Sequence, residues 1–116
     1  MPSFFLTRQA FHDLARIENY TVDTHGQRQA DTYIRELYES FSKIARNPQI
    51  GVLRQYRSAP FLMAPVSEHH YAIYHEVGGK VVIVTVLHSR QNIETILQRI
   101  GPALEKEISE ILKDTQ

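Results

Sequence analysis

The most constraining feature of the sequence is a stretch of about 20 residues in which apolar side chains recur every three or four positions. Asn47 and Pro48 end the pattern, since proline cannot continue a helix. The apolar positions fall on one stripe: Ala30, Tyr33, Ile34, Leu37, Phe41, Ile44 and Ala45. This stripe predicts a long helix, beginning near Gln27, that buries one side against another element.

A second helical pattern comes directly before the first. Thr7 is a good N-cap, and apolar spacing follows it from about Arg8 to Thr24. His25 and Gly26 then interrupt the pattern only briefly. Two helices joined by so short a break are predicted to form an antiparallel hairpin.

Short apolar segments on either side of this hairpin predict strands. Ser3 to Leu6 precedes it, whereas Phe61 to Val66, His70 to Val77 and Lys80 to His88 follow it. Pro65 confines the first of the later three to an edge position or a short strand, because proline cannot donate a sheet hydrogen bond. Gly78 and Gly79 indicate a tight hairpin turn between the last two strands.

The remaining segments complete the predicted fold. Pro48 to Pro60 has no steady period and is interpreted as a loop or an irregular edge. Asn92 can cap a short helix ending at Gly101, and Pro102 can open another. The prediction is one α+β domain over residues 1–116: an N-terminal strand, an antiparallel helical hairpin, and a three-stranded antiparallel segment that completes a small curved sheet. Residues 101–116 form a C-terminal helical extension.

Composition and charge narrow the function classes. The absence of cysteine excludes disulfides and thiolate metal sites, and favours a cytoplasmic protein. The N-terminus lacks a signal-peptide pattern, and the longest apolar run, Val81 to Leu87, is too short to span a bilayer. Lys and Arg equal Asp and Glu at 13 each, which disfavours direct nucleic-acid binding. We therefore expect neither a membrane nor a nucleic acid as a direct partner.

The collinear pattern resembles the ParE branch of the RelE/ParE superfamily of bacterial toxin-antitoxin toxins. The resemblance covers roughly Phe4 to Leu97. It is carried by Leu6, Thr7, Asp13, Leu14, Ile17 and Tyr20, then Gly26, Ala30, Tyr33 and Ile34, then Ile44, Ala45, Asn47, Pro48, Ile50 and Gly51, then His70, Tyr71, Ile73 and Tyr74, and finally Val84, Val86, Leu87 and His88. Asn92 stands where family members often carry an acidic residue, and Gly101 to Gln116 extends past the usual family end.

This resemblance implies a curved antiparallel sheet packed on a helical hairpin, and a cognate antitoxin that neutralises the protein. It also implies DNA gyrase as the target, with growth arrest as the outcome. The alternative is the RelE branch, whose members cut messenger RNA on the ribosome. A third alternative is a non-toxic interaction module.

We expect binding rather than catalysis, with no catalytic residue and no cofactor. The predicted antitoxin or gyrase contacts are polar or aromatic residues of the irregular loop, of the end of the last strand and of the segment after it: Arg54, Tyr56, Arg57, His88, Arg90 and Arg99. A ribonuclease would instead use His88 as base, Arg57 and Arg90 as charge stabilisers, and Tyr71 or Glu68 as an auxiliary group. A converging proton-transfer pocket around the end of the last strand would contradict the binding interpretation.

Two further patterns have plain structural explanations. Four histidines (His69, His70, His75 and His88) suggest zinc, but His70 and His75 point to opposite faces of one strand, so we predict no metal site. The apolar stripe after Pro102 is predicted to pack back on the domain. Its alternative partners are a second copy of the protein, which gives a homo-oligomer, and the antitoxin, which gives a hetero-oligomer.

Overall fold

A five-stranded sheet with helices on both faces forms the body of the protein. The structure, a computed structural model, describes residues 4–56 and 59–114. Its elements are β1 (Phe4–Leu6), α1 (Arg8–His25), α2 (Gln27–Arg46), β2 (Val52–Tyr56), β3 (Ala59–Pro65), β4 (His70–Val77), β5 (Lys80–His88) and α3 (Ile93–Asp114). A short 3₁₀ turn at Pro48–Ile50 connects α2 to β2. The predicted α+β class is confirmed.

The strands lie in the order β1, β5, β4, β3, β2. β1 runs parallel to β5, and every other neighbouring pair is antiparallel. The turn between β4 and β5 has positive φ at Gly78 (59°) and Gly79 (80°), as the sequence predicts for a tight hairpin. β5 is therefore a central strand, and its interior residues are buried from Val81 to Leu87.

The two faces of the sheet carry separate apolar cores. On one face, the α1 and α2 hairpin packs Leu14, Leu37 and Phe41 against Ile83 and other sheet residues. On the opposite face, α3 packs Leu97, Leu104 and Ile108 against a group that includes Phe61, Ile73, Val82 and Val84. Burial of β5 on both faces follows from this arrangement.

Two polar side chains near the start of the helical hairpin form hydrogen bonds with β5 beyond the point where β1 ends. The Thr7 hydroxyl donates to the Val84 carbonyl (2.6 Å) and accepts from the Ala10 amide (3.0 Å), so Thr7 caps α1 as predicted. The buried Asp13 carboxylate accepts from the Thr85 hydroxyl (2.5 Å) and from the Val86 amide (3.0 Å). Thr7, which caps α1, and Asp13 within α1 thus supply hydrogen bonds to the part of β5 that β1 does not pair with.

The predicted strand count was too low. Part of the segment interpreted as a loop or an irregular edge forms the edge strand β2, so four strands follow the hairpin instead of three. β3 consequently lies one strand in from the edge, and Pro65 is tolerated because it is the last residue of that strand. The predicted start at Ser3 lies outside the described residues.

The C-terminal segment is one helix and not two. α3 continues through Gly101 and Pro102, which were predicted to separate two helices. Leu97 before these residues and Leu104 after them are both buried against the same sheet face. This shared packing offsets the backbone hydrogen bond that Pro102 cannot donate.

Tyr74 fixes the start of β2 to the rest of the sheet. Its buried side chain donates a hydrogen bond to the Pro48 carbonyl (2.6 Å). A Cβ at Gly51 would overlap the Tyr74 hydroxyl, so glycine is required there by close approach.

Across the described residues, none of the helices is long and apolar enough to cross a membrane.

Candidate functional site

An open cleft of about 1200 Å³ lies between the α1 and α2 hairpin and the end of the sheet where β5 finishes. His88 ends β5, and His70 begins β4 directly opposite it. Side chains from α1, α2, the turn before β4 and the turn after β5 complete the lining. The cleft is therefore built by four segments distant in sequence.

A hydrogen-bonded network of three side chains lines this cleft. The Tyr33 hydroxyl lies 2.5 Å from Ser67 Oγ and 2.6 Å from His70 Nδ1. Ser67 Oγ also accepts from the backbone amides of His69 (3.3 Å) and His70 (3.2 Å). α2, the turn before β4 and the first residue of β4 are thereby joined at one point.

The turn after β5 orients His88. The Arg90 backbone amide donates to His88 Nδ1 (3.1 Å), and the His88 amide donates to Gln91 Oε1 (2.8 Å). The His88 ring packs edge to face on His70 at 5.3 Å and lies parallel to the His69 ring at 6.2 Å. His88 is thus a strand-end histidine whose position is fixed by hydrogen bonds at its ring and at its own backbone amide.

The pKa directions in this network oppose proton transfer at neutral pH. Burial, together with nearby His88 and His69, lowers the pKa of His70 to about 4. Burial raises the pKa of Tyr33, although the Ser67 hydrogen bond partly offsets this. An efficient general base or acid has a pKa near the working pH, whereas both of these groups move away from it. Tyr33 and His70 are therefore both neutral at pH 7.

Charges of both signs surround the network. On α1, Arg16 forms an ion pair with the buried Asp13, with 2.8 Å between Arg16 Nη2 and Asp13 Oδ1. The other charged side chains of the lining are Glu36, Glu39 and Lys43 on α2, Glu68 in the turn before β4, and Arg90 after β5. Tyr20 on α1 adds an aromatic ring that is 68% exposed.

The six predicted contact residues do not form one site. His88 and Arg90 both line the cleft. Arg54 is exposed on β2, three strands away across the sheet and level with Val82, near the other end of β5. Arg99 is exposed on α3, which covers the opposite face of the sheet. Arg57 and the Tyr56 side chain lie outside the described part of the structure.

The alternative ribonuclease set is not assembled either. Tyr71 pairs with Leu87, whose side chain belongs to the face covered by α3, whereas His88 lies on the hairpin face. The Glu68 side chain is 89% exposed and only approaches His69 at 4.0 Å. Among the described residues, no three His, Cys, Asp or Glu side chains are grouped closely enough to hold a metal ion.

A second feature suited to recognition is the outer edge of the sheet. β2 pairs only with β3 among the described strands. Ile50, Val52 and Leu53, at the start of this edge, are 50%, 60% and 66% exposed. Adjacent residues of a strand point to opposite faces, so both faces of β2 present uncovered apolar surface.

The chain belongs to the family described as the ParE toxin of the type II toxin-antitoxin system, parDE, whose model matches residues 4–93. It is 32% identical over 92 residues to Toxin ParE1 of Caulobacter vibrioides, covering 79% of this chain and 94% of that relative. It is also 30% identical over 92 residues to Toxin ParE1 of Mycobacterium tuberculosis, covering 78% and 93%.

The fold is likewise that of a solved structure, described as the chromosomal ParDE TA system from P. aeruginosa. The TM-score is 0.64 at 19% identity, with 76% of this chain and 96% of that chain covered. Only Ile93 of α3 falls within the family match, so most of that helix lies beyond the region shared with the family.

Proposed function

We propose that this toxin acts by binding DNA gyrase, and that a cognate antitoxin neutralises it by direct contact. Membership of the ParE toxin family is the observation that carries the proposal. The zero net charge of the chain agrees with a protein target, because a surface that grips nucleic-acid phosphates normally carries an excess of Lys and Arg.

The surface of the protein supports a recognition role. The exposed apolar residues of the β2 edge, Ile50, Val52 and Leu53, are suited to an extended partner segment that adds a strand to the sheet. Arg54 on the same strand, and His88 and Arg90 in the cleft, remain our contact residues. A disordered antitoxin segment that orders on binding could span both surfaces.

The ribonuclease alternative receives less support from the site. Its base, His88, packs on His70, which is hydrogen-bonded to Tyr33, and the pKa values of His70 and Tyr33 both move away from neutrality. Its auxiliary Tyr71 lies on the other face of the sheet.

Induction of the protein in growing bacteria distinguishes the three functions. Gyrase binding predicts growth arrest with broken DNA that carries covalently trapped gyrase, while transcripts stay intact. New 5′ ends in messenger RNA within the first minutes would support the ribonuclease. Undisturbed growth at high expression would support a non-toxic interaction module.

A further inference from the structure

The hydrogen bonds around Tyr33 fix the position of the ring proton on His70. Ser67 Oγ accepts from two backbone amides, so its own hydrogen is directed to the Tyr33 hydroxyl. Tyr33 must then donate to His70 Nδ1. Neutral His70 therefore carries its proton on Nε2.

The same accounting applies to His88. Its Nδ1 accepts the Arg90 backbone N–H, so neutral His88 also carries its proton on Nε2. His70 and His88 face each other on neighbouring strands, and both rings line the cleft. Neither Nε2–H has an acceptor among the described residues. The ring centroids lie 5.3 Å apart, so the cleft lining holds two neighbouring N–H donors that have no acceptor within the described part of the chain.

The surroundings of these donors suit one acidic group better than a polyanion. Asp13 is already neutralised by Arg16 and by its bonds to β5. The charged or titratable side chains that remain in the lining are His25, Glu36, Glu39, Lys43, Glu68, His69 and Arg90. Lys43 and Arg90 face three carboxylates in that set, so the surroundings repel every anion, and they repel a chain of phosphates far more than one carboxylate. A single carboxylate can offset this repulsion through bonds to the two N–H donors and to Arg90.

We propose that this cleft binds an aspartate or glutamate side chain of a protein partner, which accepts hydrogen bonds from Nε2–H of His70 and His88. The inference rests on the proposed function in taking that partner to be a protein. A metal ion would need the Nε2 lone pairs, and the bonds to Nδ1 leave those atoms protonated in the neutral rings.

Matched substitutions separate the donor from the rest of each ring. In His70→Asn and His88→Asn, the amide oxygen can replace Nδ1 as acceptor, but nothing replaces Nε2–H. In His88→Gln, the longer amide brings an N–H group near the lost donor. His12→Asn, on an exposed α1 residue outside the cleft, is the control.

The measurement is an NMR titration of the full chain at pH 7 with N-acetylglutamate N-methylamide, which carries a single carboxylate. We expect saturable shifts of the His70 and His88 ring signals. Either Asn variant should weaken binding about tenfold, as expected for one hydrogen bond to a charged group. His88→Gln and His12→Asn should stay close to the wild type.

Parallel titrations with inorganic phosphate and with sodium chloride at equal ionic strength identify the anion. Preferential binding of phosphate, an absence of saturable shifts, or unchanged affinity in both Asn variants would overturn the proposal. Signals outside the cleft report whether each variant is folded. The gyrase test does not depend on this titration, so failure here would leave the proposed target standing.

Discussion

At the residue scale, two polar groups define how this sheet is completed and how its cleft is built. Thr7 and Asp13 could be recognised from the sequence only as a helix cap and an acidic residue of the first helix. Their bonds to Val84, Thr85 and Val86 span more than 70 positions and depend on where β1 stops. Local sequence patterns do not contain that information.

Asp13→Asn should destabilise the protein by about 2–4 kcal/mol, because a neutral amide replaces a buried carboxylate that accepts from Thr85, Val86 and Arg16. Urea unfolding at pH 7 measures the change. Asp23→Asn, at an exposed position of the same helix, should change the free energy of unfolding by less than about 0.5 kcal/mol. Equal effects of the two substitutions would contradict the role given to Asp13.

Tyr33 shows why the cleft was missed in the sequence. Its spacing places it in the core stripe of α2, and its ring does pack beside the hairpin core. Its hydroxyl nevertheless reaches Ser67, for which no role was predicted, and His70, whose side chain was considered only as a metal ligand. A tyrosine in an apolar stripe signals an end that needs a polar partner, but the sequence does not say which partner.

The low pKa of His70 makes stability depend on pH. His70 binds a proton near pH 6.5 in the unfolded chain, whereas in the folded protein its pKa is about 4. The stabilisation is therefore complete above about pH 6.5 and is lost as pH falls towards 4. After a discount for solvent screening, we expect a loss of roughly 1–2 kcal/mol over this interval.

Urea unfolding at pH 7, 5 and 4 tests this dependence. His70→Asn should have a flatter profile than the wild type over the same interval, while His12→Asn should keep the wild-type slope. A wild-type slope in His70→Asn would assign the acid sensitivity to other groups.

At the element scale, the predicted helices and strands were right where a single period dominates. α2, β4 and β5 begin and end as the sequence predicts, because apolar spacing and the glycine turn agree there. β2 lies at the edge, one of the two interpretations of its segment, but no strand was predicted there because Val52 and Leu53 are both exposed and show no alternation of buried and exposed positions. Pro102 led to the wrong prediction of two C-terminal helices, because the packing of α3 on the sheet outweighs the local effect of a helix-breaking residue.

The packing of α3 against the second face of the sheet is testable with one residue. Leu104 is 4% exposed, so Leu104→Ala should cost about 2–4 kcal/mol of unfolding free energy. Lys106→Ala, at an exposed position two residues further along the helix, should be nearly neutral. A neutral Leu104→Ala would show that the helix does not pack on the sheet in solution.

At the scale of the whole molecule, the α1 and α2 hairpin and α3 cover the two faces of the sheet. The surfaces that we propose for recognition are therefore the β2 edge and the cleft beside β5. The fold class and the family could be predicted without knowing which surfaces the helices cover. The contact residues could not, and those that the structure describes lie on both faces of the sheet and on its edge.

Leu53→Lys tests the edge without disturbing the core. Its side chain is largely exposed, so the free energy of unfolding should change by less than about 0.5 kcal/mol. A charge on this edge should weaken the addition of a partner strand and reduce inhibition of the target. Thr32→Lys, at an exposed position on α2 that does not line the cleft, is the matched control. Full inhibition by Leu53→Lys would remove the edge from the binding surface.

The most direct test of the central claim is a supercoiling assay with purified gyrase, relaxed plasmid and this protein. The account predicts dose-dependent loss of supercoiling together with accumulation of cleaved plasmid, both without RNA or ribosomes present. Unaltered supercoiling at a large molar excess of folded protein would contradict it.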